Sequence, residues 1–216
     1  MPRKKPLYWL ASALSSSVGA VFLNFRVYGV ENVPLEGPVI LAANHGSFLD
    51  PPLIGCRLPR EIHYLARESL FKPSFLGWLI RSLNSVPVDR DGGGGAGLKK
   101  ILGVLKSGEG VLLFPEGTRT SDGQLQTARP GLGLAILKSG APVTPVYIAG
   151  SFKAWGRQRK WPRPGKVSVT YGPKVDFDDL RVEAKDAGRD RMKAIYAEAS
   201  DRVMAAIRAL SEGARG

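Results

Sequence analysis

The sequence predicts an α/β protein in which helices cover a β-sheet. From residue 26 onward, short apolar runs alternate with amphipathic helical patterns, which is typical of strands linked by helices. The candidate strands are 26–30, 38–43, 62–66, 86–88, 110–114, 143–148 and 166–171. The candidate helices lie near 51–58, 74–83, 96–107, 130–139 and 185–209. We therefore expect one domain over residues 26–216, preceded by a separate N-terminal segment over residues 1–25.

The composition fits a globular protein in which disulfides play no part. The chain has 216 residues, of which 44% are hydrophobic and 23% charged, so it is neither disordered nor fibrous. Its single cysteine, Cys56, excludes an internal disulfide and a zinc site built from several cysteines.

The positive charge is concentrated in one part of the chain and indicates an anionic partner. The net charge is +12, and residues 151–174, which we call the basic segment, contain seven basic residues, two tryptophans and no acid. Residues 176–216 are nearly balanced, with eight basic and nine acidic residues. Basic residues interleaved with tryptophan suit a membrane interface or single-stranded nucleic acid. No recognised nucleic-acid motif accompanies them, so we expect a membrane partner and no nucleic acid.

The N-terminal segment has the pattern of a membrane-associating amphipathic helix. Residues 6–25 contain no charge, and small residues recur on one face at helical spacing. The other face is apolar: Leu7, Leu10, Leu14, Val18, Val21, Phe22 and Phe25. Such a helix favours the membrane interface over a full span, although its length permits a span. Basic residues at 3–5 favour the cytoplasmic side of the cell membrane. A signal peptide cleaved after residues 18–20 is the competing interpretation.

A histidine and an aspartate follow the apolar strand at 38–43, in the stretch NHGSFLD of residues 44–50. Asp50 precedes a proline, which is typical of a helix N-cap, and we expect it to cap. A tight turn over 46–49 would also let the second carboxylate oxygen reach His45 Nδ1. The carboxylate would then hold the tautomer whose Nε2 is a base.

No residue near this pair has the pattern of a protein nucleophile. The chain has no G-x-S-x-G motif, Ser47 is too close to His45 in sequence for a triad, and Cys56 is expected in the core. The remaining histidine, His63, is expected within a strand. The simplest interpretation is that His45 deprotonates a hydroxyl of the substrate itself.

A second polar cluster, FPEGTR at residues 114–119, follows another predicted strand. Arg119 suits a bidentate grip on phosphate, and Gly117 and Thr118 offer backbone and hydroxyl donors. Glu116 would repel a phosphate unless it binds a hydroxyl or orients Arg119. A surface turn with a local ion pair is the alternative. Ligands in α/β sheets bind beyond the carboxyl ends of strands, so both clusters are expected at one rim.

The glycine run at 92–97 satisfies the G-x-G-x-x-G pattern of dinucleotide-binding proteins. Three charged residues separate it from the preceding strand, whereas that fingerprint needs a tight turn at the strand end. We therefore expect a flexible linker there.

Taken together, the two clusters resemble the glycerolipid acyltransferases, specifically the 1-acylglycerol-3-phosphate (lysophosphatidic acid) acyltransferases. Asn44, His45 and Asp50 match the N-H-x4-D block of that family, and residues 114–119 match its F-P-E-G-T-R block completely. Weaker similarities occur at 64–68, 77–80, 86–90 and 143–146, so the resemblance covers roughly residues 26–175. Arg67 stands where the family usually has lysine, and Arg129 stands where it often has a lysine-rich pair.

The resemblance implies a mixed, largely parallel sheet and transfer of a fatty acyl group onto the sn-2 hydroxyl of lysophosphatidic acid, giving phosphatidic acid. His45 would be the general base and Asp50 its orienting partner, with acyl-CoA or acyl carrier protein as donor and with no metal or cofactor. Arg67 and Arg119 would hold the acceptor phosphate, Glu116 and Gly117 would shape that pocket, and Thr118 would add its hydroxyl as a donor. Another lysolipid or glycerol 3-phosphate remains possible as acceptor, and a non-catalytic lipid-binding protein is the rival class.

Overall fold

A mostly parallel β-sheet lies at the centre of the protein. The computed structural model describes residues 5–72, 74–88, 95–129 and 131–214. Within them a seven-stranded sheet has the order β1-β7-β6-β2-β5-β3-β4. The strands are β1 (Arg26–Tyr28), β2 (Val39–Ala43), β3 (Ile62–Arg67), β4 (Ser85–Val88), β5 (Gly110–Leu113), β6 (Val143–Ala149) and β7 (Ser168–Tyr171). Neighbouring strands are parallel except β6 and β7. The predicted mixed, largely parallel α/β class is confirmed.

Helices cover both faces of the sheet. They are α1 (Pro6–Leu23), α2 (Asp50–Gly55), α3 (Phe75–Ser82), α4 (Gly95–Lys106), α5 (Gly131–Ser139), α6 (Ser151–Trp155), α7 (Asp178–Glu183) and α8 (Arg189–Gly213). One core cluster packs α1 and α2 on one face, and a second packs α4, α5 and α8 on the other. The connections from β2 to β3 and on to β4 step in one direction across the sheet, and the right-handed rule for such crossovers puts α2 and α3 on the same face.

Helix α1 is attached to the domain at both ends. Near its start, the Tyr8 hydroxyl contacts the Tyr64 hydroxyl at 3.1 Å and accepts a hydrogen bond from the Ile62 N–H. Near its end, Gly19 packs against Leu53, so that a side chain there would meet Leu53 at 3.2 Å. Small residues on this face therefore let the helix approach the domain closely, while the large apolar side chains face outward.

Several sequence-based expectations need correction. Phe25 does not belong to the outward face of α1, because the helix ends at Leu23 and Phe25 is 8% exposed within the core. The short helices α6 and α7 were not predicted, since neither is long enough to show a period. The last helix begins at Arg189 and extends to Gly213 rather than covering 185–209. Residues 92–94 of the glycine run lie outside the described residues, whereas residues 95–97 are the first turn of α4 and not a flexible linker.

The sheet brings the two polar clusters to one rim. Strands β2 and β5 are parallel neighbours, with Ala42 paired to Leu113 near their carboxyl ends. Both strands are fully apolar and buried, as expected of the central strands of a parallel sheet. The chain becomes polar where each strand ends, at Asn44 and after Phe114, so these residues meet at the same edge.

Candidate active site

Asn44 fixes the path of the chain as it leaves β2. Its side-chain amide donates to the carbonyl of Ile148 at 3.1 Å, and its amide oxygen accepts from the Ile148 N–H at 2.8 Å. The side-chain amide thus supplies the donor and the acceptor that a neighbouring strand would offer to Ile148 of β6, at the point where the backbone of β2 has turned away. This turn sets the direction in which His45 points.

His45 and Asp50 form a directly bonded pair. His45 Nδ1 lies 2.8 Å from Asp50 Oδ2, and the carboxylate is fully buried. The same oxygen accepts the backbone N–H groups of Gly46 and Ser47, each at 2.7 Å. Two backbone N–H groups and the imidazole thus converge on one oxygen of Asp50, and a carboxylate oxygen can only accept hydrogen bonds. In a neutral imidazole that donates from Nδ1 to this carboxylate, Nε2 is the acceptor nitrogen.

The expected N-cap role of Asp50 is wrong. Asp50 is already the first residue of α2, the N-cap position is Leu49, and no side chain caps this helix. The physical reason is in the sequence: residues 51 and 52 are both proline and have no N–H to offer. The next N–H, that of Leu53, donates to the Leu49 carbonyl. The carboxylate turns instead toward the loop before it.

The second cluster and Thr120, the residue directly after it, contact the first cluster at several points. The Thr120 N–H donates to the His45 carbonyl at 2.8 Å. The His45 ring stacks on Phe114 with centroids 3.8 Å apart and planes 14° apart. The Arg119 guanidinium lies 3.5 Å from the centre of the Phe48 ring, in the loop between His45 and Asp50. The sequence prediction that both clusters lie at one rim is thus confirmed.

Glu116 is buried beneath this arrangement rather than projecting from it. It is 3% exposed, and among the described residues its Oε2 atom has no hydrogen-bond partner. Burial raises the pKa of Glu116 to about 7, the backbone N–H groups of Gln126 and His45 oppose that rise, and the charge of Asp50 adds to it. A small cavity of about 50 Å³ beside it is lined in part by Asn44, His45 and Thr120.

Gly117 adopts a conformation that side chains disfavour. Its φ is +69°, and a side chain there would meet Arg129 Nε at 2.5 Å. Arg129 in turn donates from Nε to the Glu116 carbonyl at 3.3 Å. Arg129, which stands where a lysine-rich pair was expected, therefore braces the FPEGTR loop. Thr118 is half-buried on the same loop.

Other residues considered from the sequence have different positions. Arg67 ends β3 at the same rim and is exposed, and within the described residues no hydrogen bond or ion pair joins it to the His–Asp pair. Ser47 donates to the Trp155 carbonyl at 2.7 Å and accepts from Leu49, so its hydroxyl holds the loop together. His63 lies within β3, and Cys56 packs against the core, as predicted.

The sequence did not indicate which aromatic side chains contact the loop that carries His45. Phe152 lies over Gly46, where a side chain would come within 3.1 Å of it. Trp155 contacts the Phe48 ring at 5.4 Å. Both belong to α6. Apart from the tryptophan itself, nothing in the sequence indicated that this short helix packs beside the loop of residues 44–50. The basic segment therefore begins directly beside the His–Asp pair.

The fold and the site define an α/β protein that presents a histidine–aspartate pair and an arginine-bearing loop at the carboxyl rim of its sheet. The sequence model of the family described as "Acyltransferase" matches residues 24–149, more than half of the chain. The chain belongs to this acyltransferase family.

Individual relatives agree with this family. The 1-acyl-sn-glycerol-3-phosphate acyltransferase of Bacillus subtilis (strain 168) is 37% identical over 126 residues, covering 58% of this chain and 62% of the relative. The enzyme of that name from Pseudomonas aeruginosa is 33% identical over 157 residues, covering 70% and 59%. The chain thus spans less than two thirds of the length of these relatives.

A solved structure resembles this one over nearly its whole length. The crystal structure of the 1-acyl-sn-glycerophosphate (LPA) acyltransferase PlsC from Thermotoga maritima superposes with a TM-score of 0.70 at 27% identity. The match covers 94% of this chain and 80% of that one. The similarity therefore includes the sheet, the helices on both faces and the rim that holds the site.

Proposed function

We propose that the protein is a 1-acylglycerol-3-phosphate O-acyltransferase that makes phosphatidic acid. It transfers a fatty acyl group from the thioester of acyl-CoA or acyl carrier protein to the sn-2 hydroxyl of lysophosphatidic acid. The observation that carries the proposal is the bonded pair of His45 and Asp50 beside the Arg119 loop. The names of the relatives supply the substrate class.

His45 is the general base of the proposed reaction. Because Asp50 holds the proton on Nδ1, Nε2 is free to accept the proton of the sn-2 hydroxyl as its oxygen attacks the thioester carbonyl. The new ester C–O bond forms, the C–S bond breaks, and the imidazolium returns its proton to the departing thiolate. No acyl group is attached to the protein, and no metal or cofactor takes part.

The acceptor phosphate binds to positive and backbone donors around the second loop. Arg119 supplies a planar guanidinium within reach of the loop that carries His45, and Arg67 adds a charge from the end of β3. Gly117 and Thr118 line the same loop, and buried Glu116 shapes it from beneath. The cavity beside the pair is about 50 Å³, whereas ligand pockets usually measure roughly 300–1,000 Å³. A cavity of this size does not enclose either substrate, which fits a proposal in which both approach His45 from the outer surface of the rim.

Helix α1 attaches the protein to the cytoplasmic face of the cell membrane, and residues 1–25 act as the membrane-associating part. By length and composition α1 could cross a bilayer, with a mean hydropathy of 1.4. Its tethers to the domain favour an orientation along the bilayer surface, because a helix bonded at its start and packed at Gly19 cannot leave the domain. Leu10, Leu14 and Val21 are exposed on its outer side and would enter the lipid.

The basic segment lies where it would assist this attachment. The Gly165 N–H donates to the Phe22 carbonyl at 3.2 Å, so the segment adjoins the end of α1. The other end of the segment contacts the His45 loop through Trp155. Each basic residue near an anionic surface contributes about 1 kcal/mol of attraction. Bilayer, acceptor and His45 are thereby brought together.

The test is thiol release from acyl-CoA by purified protein with lysophosphatidic acid dispersed in detergent. We expect release that depends on this acceptor, is weaker with glycerol 3-phosphate or a choline lysolipid, and is abolished in His45→Ala. His63→Gln, which alters the second histidine at a distance from the rim, is the matched control and should retain activity. Acceptor-independent release, or a His45→Ala variant with a tenth of normal turnover, would contradict the assignment.

A further inference from the structure

An exposed apolar surface on α3 takes no part in the chemistry proposed above. It consists of Phe75, Leu76 and Trp78 on α3 together with Leu70 from the 3₁₀ turn before it, and we call it the α3 surface. Phe75 is 76% exposed and Trp78 is 56% exposed, and their rings contact each other at 5.8 Å. Exposed apolar side chains that adjoin one another indicate a contact with a partner rather than chance exposure.

We propose that the α3 surface is a second membrane contact, which enters an anionic phospholipid bilayer alongside α1. This inference rests on the proposed function, in which the acceptor is a membrane lipid. The surface is independent of α1 in sequence, and none of its residues belongs to the two clusters that carry the reaction.

The position of α3 in the fold supports a bilayer as the occupant. Helix α2 packs in the same core cluster as α1, and the connections through α2 and α3 step in one direction across the sheet, so right-handed crossovers place α3 on that face as well. Lys5, at the start of α1, donates from Nζ to the side chain of Asn84, two residues beyond the end of α3. In this placement the exposed sides of α1 and α3 would both face away from the sheet on one side, where a single planar surface would meet them.

The start of α3 also lies at the rim that carries the site. The 3₁₀ turn Glu68–Phe71 follows directly from Arg67 at the carboxyl end of β3, and α3 begins a few residues later. A bilayer that receives Phe75 would therefore lie close to the rim from which the acceptor must approach. The α3 surface would then hold the rim against the lipid at the β4 edge of the sheet. The basic segment would do the same at the opposite edge, near β1.

The charges around the α3 surface complement an anionic bilayer. Lys72, Arg81 and Arg67 are exposed beside it, against one exposed acid, Glu68. Arg81 packs over the buried Phe71 ring at 5.1 Å, which holds its charge near the apolar surface. Aromatic residues flanked by basic ones are typical of segments at the headgroup level.

The first test is binding of full-length protein to vesicles of phosphatidylcholine and phosphatidylglycerol that contain no acceptor. We expect Phe75→Ser to weaken binding roughly tenfold, since most of one phenyl side chain no longer enters lipid. Val182→Ser is the matched control, because Val182 is 64% exposed on α7, which packs on the opposite face. It should bind like the unaltered protein.

The second test uses the fluorescence of Trp78. Bromine-labelled lipids quench tryptophans that reach the bilayer, and Trp78→Phe should remove part of the quenchable emission without loss of binding. Unchanged binding in Phe75→Ser, an equal loss in Val182→Ser, or no change in quenching in Trp78→Phe would overturn the proposal. So would a Phe75-dependent dimer in solution, which would assign the surface to a second copy of the chain.

The outcomes of these tests distinguish an error in the α3 proposal from an error in the proposed function. Vesicle binding is measured without acceptor or donor, so it does not depend on turnover. Activity on detergent-dispersed lysophosphatidic acid should be equal for Phe75→Ser and the unaltered protein. If that activity is missing in both, the proposed function is wrong; if it is present and vesicle binding is unchanged, the proposal for α3 alone is wrong.

Discussion

Replacing Glu116 by glutamine should change how stability depends on pH. Burial raises the pKa of Glu116 from 4.5 to about 7, so the folded protein binds this proton more tightly than the unfolded chain does. The stabilisation from the protonated form is complete below about pH 4.5 and is lost as the pH rises to about 7. The full loss is on the order of 3 kcal/mol, since each pKa unit corresponds to about 1.4 kcal/mol.

Glutamine has no proton to lose in this range, so the Glu116→Gln variant should lack that loss. We expect its free energy of unfolding to rise relative to the unaltered protein by about 2–3 kcal/mol between pH 4.5 and pH 7.5. The amide can also change the free energy of unfolding by an amount that does not depend on pH. That amount cancels, because the test uses only how the stability difference between the two proteins changes with pH.

The assay is equilibrium unfolding in urea, followed by tryptophan fluorescence, at several pH values over that range. Glu212→Gln, which alters an exposed glutamate near the end of α8, gives the baseline for removing one carboxylate. If the stability difference for Glu116→Gln were as flat with pH as that for Glu212→Gln, the buried position of Glu116 would not perturb its ionisation. Our account of the loop beneath His45 would then be wrong.

Further predictions address the other parts of the site. Asp50→Asn should lower turnover by up to about 10⁴-fold with little change in KM, because the amide no longer selects the tautomer; a pH–rate profile and single-turnover rates measure this. Arg119→Ala should raise the KM for the acceptor by a factor equivalent to roughly 2–3 kcal/mol and leave that for the donor unchanged; equal effects on both would indicate a structural role. Asn44→Ala should destabilise the fold by about 1–3 kcal/mol in urea unfolding, since two strand groups of β6 lose their partners. Leu14→Ser with Val21→Ser should lower activity on vesicle-borne acceptor more than on detergent-dispersed acceptor; equal losses would contradict the membrane role of α1.

The strands and most helices were predictable because the sequence is locally consistent with them. Central strands such as Val39–Ala43 are short uninterrupted apolar runs, which only a sheet buried on both faces accommodates. The pairing of β1 with β7 was not predictable, since Arg26–Tyr28 is three residues long and its partner lies near the other end of the chain. Local patterns carry no information on which distant edge a strand joins.

The sequence predicted that the two clusters lie at one rim of the sheet. It did not predict which of their side chains contact each other. That both follow strands gave their location, but the contacts between them depend on aromatic side chains whose neighbours are set by the tertiary fold. Phe114 follows β5 directly and stacks under His45, while Phe48 receives Arg119. Glu116 was expected beside a phosphate pocket, whereas in the structure its side chain is buried, next to the turn at Gly117.

Asp50 is the site residue for which the sequence carried a signal that the prediction did not use. An aspartate before a proline favours an N-cap, and that prior led to a wrong position for the carboxylate. The second proline argues against an N-cap role for Asp50. A capping side chain accepts from the backbone N–H at the second or third helical position, and a proline at the second position has no N–H. Without donors ahead of it, the buried carboxylate must take its hydrogen bonds from behind, where Gly46 and Ser47 supply two and His45 supplies the third. The double proline is therefore part of the reason that Asp50 is available to orient the histidine.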